Sequence, residues 1–308
     1  MIQLRNAKRF IHATVRRNHK NNNKMDNKKI LIYLTIIYLV SWTIQLFAIF
    51  GTSGISSDEA ELFLLLTMLT PTLITIIYLI KNKPLRNKVL WKPRINVFAT
   101  VLLGVLIPTI IAFISVTVCS AFGFGNSEWF NFSSESVTIT GGLWLLGLGT
   151  NNWAHTIANI TLTALAFSLM SGIPTATEEF TWRGFLQGIL IDKLGITNGV
   201  VLLGLIWSFW HLPALLAGYN HPDYPILGSF FLQPLQERAI SFFLAWLTLT
   251  SKSFIPAAIA HGAGNSIQEG VISNIKLQSP IIYKDISVLL ITVIVGLIFW
   301  FILIKRKK

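Results

Sequence analysis

Charge is scarce in this sequence. Asp, Glu, Lys and Arg make up only 12% of its 308 residues, against about 25% in a soluble globular domain. The length alone permits two soluble domains. A hydrophobic content of 53% and a mean hydropathy of +0.61 exclude that arrangement. Cysteine is nearly absent: Cys119 stands alone, which rules out an intramolecular disulfide and a cysteine zinc cage. It lies in an apolar run and reads as packing. Acidic residues are the scarcer sign, leaving a net charge of +12. The distribution of the excess argues against a nucleic-acid partner. Basic residues gather in residues 1–29, in residues 81–94 and in the final KRKK, each beside an apolar span, as cytoplasmic loops do. The sequons at Asn131 and Asn159 are short enough to arise by chance and carry no weight.

Long apolar runs are what the sequence does have. Residues 1–29 hold nine Lys or Arg against the single acid Asp26 and read as a solvated cytoplasmic tail; Met1 and Met25 are both candidate starts. The run 30–50 is too long for a signal-peptide core, lacks a small-residue cleavage site, and suits a spanning helix. Further spans are predicted over 62–80, 97–122, 157–194, 196–217, 229–250, 254–273 and 286–304, with bends at Pro71 and Pro174. Segment 123–153 holds Glu128 and Glu135 without Lys or Arg and reads as an external loop, its LWLLGLG piece (143–149) lying in the interface. The fold class is therefore all-α, a polytopic transmembrane bundle of about eight spans with both termini cytoplasmic. No inverted repeat of the transporter kind is visible.

Few ionisable residues stand in apolar surroundings: His155, Glu178, Glu179, Arg183, His211, His261 and Glu269. Such residues are costly inside a bilayer and mark functional sites or paired structural ions. Glu179 and Arg183, four apart, share a helix face and read as a neutralising pair. Glu178 lies about 100° around the helix from Glu179 and lacks a cation of its own, which makes it the better candidate for proton transfer. If the chain turns near Leu194–Gly195, Glu178 and His211 come to similar depth on antiparallel helices, roughly 24 Å from the turn. His261 and Asn265 share a face among small neighbours that permit close helix approach. His155, near the outer interface, and Glu269, toward a helix end, read as structural.

These residues fall into three motifs. EEFTWR (178–183) fits E-E-x-x-x-R and HGAGN (261–265) fits H-x-x-x-N. WSFWH (207–211) fits F-x-x-x-H in its histidine, with Trp207 where phenylalanine is usual. Over about 172–270 the chain resembles the CPBP family, the CAAX-protease and bacteriocin-processing intramembrane endopeptidases also called the Abi family. The resemblance implies that Glu178 activates water with help from His211. It implies that His261 and Asn265 stabilise the oxyanion, that Glu179 and Arg183 support them, and that no metal is obligatory. It divides the chain into a basic tail (1–29), N-terminal spans with the external loop (30–153), a catalytic core (154–275), and a last span with a basic tail (276–308). A zinc site of Glu178, His211 and His261, with water in the fourth place, is the alternative chemistry. The substrate implied is a peptide precursor or a prenylated protein in or beside the lipid bilayer, and the membrane a bacterial plasma membrane. A non-catalytic immunity or scaffold protein and an ion-coupled transporter are the competing functions.

Overall fold

The computed structural model describes residues 25–93 and 97–305. Most of the basic N-terminal tail and the end of the KRKK run lie outside the described residues, as does the choice of start; Met25 itself is buried in the core.

Helices α1 (Asn27–Phe50) and α2 (Asp58–Lys81) form the first antiparallel pair. Asp26 caps α1 by accepting from the Lys29 amide. Ser57 caps α2, whose first turn carries Asp58, Glu59 and Glu61 where the positive end of the helix dipole favours them. Helix α3 (Val97–Ala121) follows. Asn152 caps α4 (Trp153–Glu179), which runs through a π-helical turn, Phe180–Leu186, into α5 (Gln187–Trp210). A short α6 (Leu212–Leu216) precedes α7 (Gln233–Ser251), α8 (Ile255–Ala263), α9 (Glu269–Ser273) and the last helix, α10 (Ile281–Lys305).

Five helical stretches among the described residues are long and apolar enough to cross a membrane: α1, α2, α3, α10 and the run Trp153–Trp210. That run is two antiparallel arms. Its break is Gly195, at φ 77° and ψ 171°, a conformation open essentially to glycine alone. The spans predicted over 229–250 and 254–273 are largely helical, but α7 carries Gln233, Gln236, Glu237 and Arg238, and α8 has only 9 residues. Both fall short of the length or apolarity that would count them among the five.

Segment 123–153, read as loop, is partly strand. β2 (Phe130–Phe132), β3 (Ser136–Ile139) and β4 (Gly149–Asn152) pair antiparallel, and β1 (Gly125–Ser127) pairs antiparallel with β5 (Ile275–Leu277). Strands this short carry too little alternation to read from sequence. Within it Trp144 is buried, while Leu143, Leu145, Leu146 and Leu148 are exposed.

The surface is apolar where lipid would lie: Leu39, Leu73, Ile77, Leu290 and Ile294 all face outward. In water such a surface would aggregate. Hydroxyls instead point inward. Tyr33 and Thr75 hydrogen-bond at 2.5 Å, and Thr75 and Thr181 at 2.8 Å, the interhelical polar contacts that hold membrane bundles together. Trp182, Phe185, Leu203, Trp207, Trp210 and Phe243 form the centre of the larger core.

Candidate active site

The end of α4 is pinned on both sides of its carboxylates. Thr175 donates to the carbonyl of Ala258 at 2.7 Å and Thr177 to that of Met68 at 2.9 Å; Thr72 donates to the carbonyl of Thr177. Two helices, α2 and α8, thus fix the backbone just before Glu178. On the α8 side, Gly262 meets the backbone of Ser171 and Gly172 so closely that a Cβ there would sit 2.5 Å from the Gly172 amide nitrogen.

Glu178 is 2% exposed, and its Oε2 accepts a hydrogen bond from the indole Nε1–H of Trp207 at 3.0 Å. Glu179 and Arg183 are fully buried. Arg183 Nη1 donates to Glu179 Oε1 at 2.8 Å and its Nη2 donates to Ser241 Oγ at 3.0 Å. The same Glu179 oxygen lies 3.0 Å from Nδ1 of His261. The pair is therefore more than a neutralised salt bridge. It orients the His261 ring, leaving Nε2 as the nitrogen available to a bound molecule.

Trp207 joins these groups. The Arg183 guanidinium lies over its ring at 4.2 Å, and the His261 ring meets it edge-on with centroids 5.0 Å apart. His211 follows one turn later at the end of α5, its Nδ1 3.2 Å from the carbonyl of Trp207. Its ring stands edge-on to Trp210, with centroids 4.6 Å apart.

Glu178, Trp207, His211, His261 and Asn265 line one cavity of about 730 Å³. Asn265 sits on a second π-helical turn, Gly264–Gln268, and its side chain is exposed. Glu269 also lines the cavity, so it is not merely a helix-end residue. His155 is elsewhere: its amide donates to the capping Asn152 Oδ1 at the start of α4. Among the described residues no group of three or more His, Cys, Asp or Glu side chains converges tightly enough to hold a metal ion.

Sequence reasoning passed over Glu237. It is 5% exposed and lines the same cavity; its Oε1 accepts from Gln233 Nε2 at 2.8 Å, and its Oε2 has no partner. The signal was present, a carboxylate inside the apolar stretch 229–250, next to Arg238. Arg238 donates to the carbonyl of Pro234. Trp207 was seen as a change in packing, and its role as a donor to Glu178 was not read.

Residues 157–267 match the family model described as type II CAAX prenyl endopeptidase Rce1-like. The chain is also similar to CAAX prenyl protease 2 of Methanococcus maripaludis, with 32% identity over 100 residues, 30% of this chain and 35% of the relative. The match thus spans about a third of the length of that curated relative. The family-model match covers both arms of the Gly195 hairpin, α7, α8 and most of the π-turn with Asn265, the elements that carry Glu178, Trp207, His211, Glu237, His261 and Asn265. The chain is an integral membrane protein, and its helical core over residues 157–267 is similar to the CAAX-protease family that the three motifs resemble.

Proposed function

We propose that the protein is an intramembrane endopeptidase that hydrolyses a peptide bond of a membrane-associated substrate with a water molecule activated by Glu178. The observation that carries this reading is that Glu178, His211, His261 and Asn265, from three separate helical segments, line a single cavity. A scaffold needs only the Glu179–Arg183 pair to satisfy its charges.

In the proposed reaction a water held between Glu178 and His211 loses a proton to the Glu178 carboxylate and attacks the scissile carbonyl carbon. The carbonyl oxygen takes the negative charge, and the Nε2–H of a doubly protonated His261 and the side-chain N–H of Asn265 stabilise it. One such donor contributes about 3–4 kcal/mol in other hydrolases. Collapse of the tetrahedral intermediate breaks the C–N bond, and the proton held by Glu178 passes to the leaving nitrogen. Trp207 holds the Glu178 carboxylate during both transfers, and Glu179 holds His261. No step uses a metal. The substrate is a peptide precursor or a lipid-modified protein.

The test is purified protein in liposomes with a library of membrane-anchored peptides, read by mass spectrometry in ¹⁸O water. One heavy oxygen in the new carboxyl terminus is expected. Intact peptides under conditions where the protein is folded would remove the endopeptidase reading.

A further inference from the structure

The charges of the bundle separate by end. At one end lie the start of α1, the connection from α2 to α3, the Gly195 corner and the end of α10. The α2–α3 connection alone carries Lys83, Arg86, Lys88 and Lys92. At the other end the acids dominate: Asp58, Glu59 and Glu61 open α2, and Glu128, Glu135 and Asp223 follow on the connecting segments. Lys276 and Lys284 are the cations there among the described residues. A Lys/Arg bias of this kind in short connections sets orientation, with the basic end cytoplasmic.

The cavity belongs to the acidic end. Its rim is made by Asp58 and Glu61 of α2, Tyr219 and His221 of the segment after α6, Glu269 of α9 and Asp285 of α10. From Asp58 the lining descends α2 to Met68, roughly 15 Å at 1.5 Å per residue. Glu178, by contrast, lies 17 residues before Gly195 at the basic end, roughly 25 Å away on the same measure. No residue of the α2–α3 connection lines the cavity among the described residues.

Carboxyl groups also line the cavity along its depth. At the rim Asp285 takes Tyr224 and His221 as partners, the latter at 3.5 Å, and Lys284 Nζ at 3.7 Å. Burial, followed by the Asp285 carboxylate, pushes the Tyr224 hydroxyl far above the usual tyrosine range, so it stays a neutral donor. Lys284 and His221 therefore serve Asp285, whereas Asp58, Glu61 and Glu269 have no cation among the described ion pairs. Deeper in, the buried Oε2 of Glu237 lacks a partner. A rim of carboxylates without cations attracts a positive segment, and the free Oε2 of Glu237 offers it an acceptor below.

We infer that the cavity receives its substrate from the non-cytoplasmic side and takes a cationic peptide segment, with Lys or Arg seated between the Asp58–Glu61 rim and Glu237. This rests on the endopeptidase reading for what happens next, but sidedness and charge preference are measurable without cleavage. Tyr219→Cys at the rim and Lys83→Cys at the basic end are expressed separately in cells. The buried Cys119 stays in place, and the otherwise unaltered chain serves as the blank. A membrane-impermeant maleimide labels Tyr219→Cys in intact cells and reaches Lys83→Cys only after permeabilisation. The reverse pattern overturns the inference. In the Glu178→Gln background, an amphipathic peptide with two lysines slows labelling of Tyr219→Cys roughly threefold or more, the scale of one or two partly exposed ion pairs. Its glutamate counterpart does not. Equal slowing by both peptides overturns the cationic assignment. If labelling follows the expected pattern and no peptide is cut by the unaltered chain, the endopeptidase reading fails and the sidedness stands.

Discussion

Trp207 touches three of the groups that the candidate mechanism uses: its indole N–H reaches Glu178, its face carries Arg183 and its flank meets His261. Phenylalanine would keep the ring against the cation and the imidazole and remove only the hydrogen bond. Trp207→Phe should therefore lower kcat about tenfold to a hundredfold while leaving KM nearly unchanged, the effect of freeing a reacting group. A rise in KM alone would mark Trp207 as a substrate contact instead. Arg183 answers to a different measurement. Removing it as Arg183→Met leaves Glu179 buried beside His261 without its cation, and should cost about 3–5 kcal/mol of stability, read as unfolding in detergent. At this scale most charges standing in apolar runs were legible, though Glu237 was not. Glu178, Glu179, Arg183 and His261 were found that way. Partnerships through a neutral donor were not, because an indole among aromatic residues has no pattern that separates packing from hydrogen bonding.

Among the elements, the crossing of α4 and α8 decides where His261 stands. Gly262→Ala places a methyl group against the Ser171–Gly172 backbone, which cannot move aside as a side chain can. The expected cost is about 1–3 kcal/mol, with loss of the His261–Glu179 contact and of activity. Unchanged activity at full expression would show that the crossing is looser than described. The GAG run beside His261 announced this close approach, and Gly195 announced the hairpin corner. The π-helical turns at Phe180–Leu186, Gly228–Leu232 and Gly264–Gln268 were not announced. Each wraps one more residue into a turn than an α-helix does, a change set by tertiary packing that no local spacing reveals. They lie beside Arg183, Glu237 and Asn265, and such turns are common where helices carry functional groups.

For the whole molecule, hydropathy gave the class of the fold and the hairpin that brings α4 and α5 together. It over-read uniformity: α7 is half polar and α8 short because they line a cavity rather than face lipid. It under-read the loop 123–153, whose strands are fixed by pairing with distant residues such as Ile275–Leu277. Because Glu178, His211 and His261 are each held by a hydrogen bond within the protein, hydrolysis should persist after exhaustive treatment with a zinc chelator. Loss of activity restored by zinc alone would replace the glutamate mechanism with a metal one. The most direct measurement is the turnover of the Glu178→Gln protein in liposomes, with folding checked by its thermal transition. The account requires an unaltered transition and peptide hydrolysis reduced by at least about a thousandfold, as when a residue that takes part in bond cleavage is removed. Hydrolysis within a few-fold of the unaltered protein would contradict it.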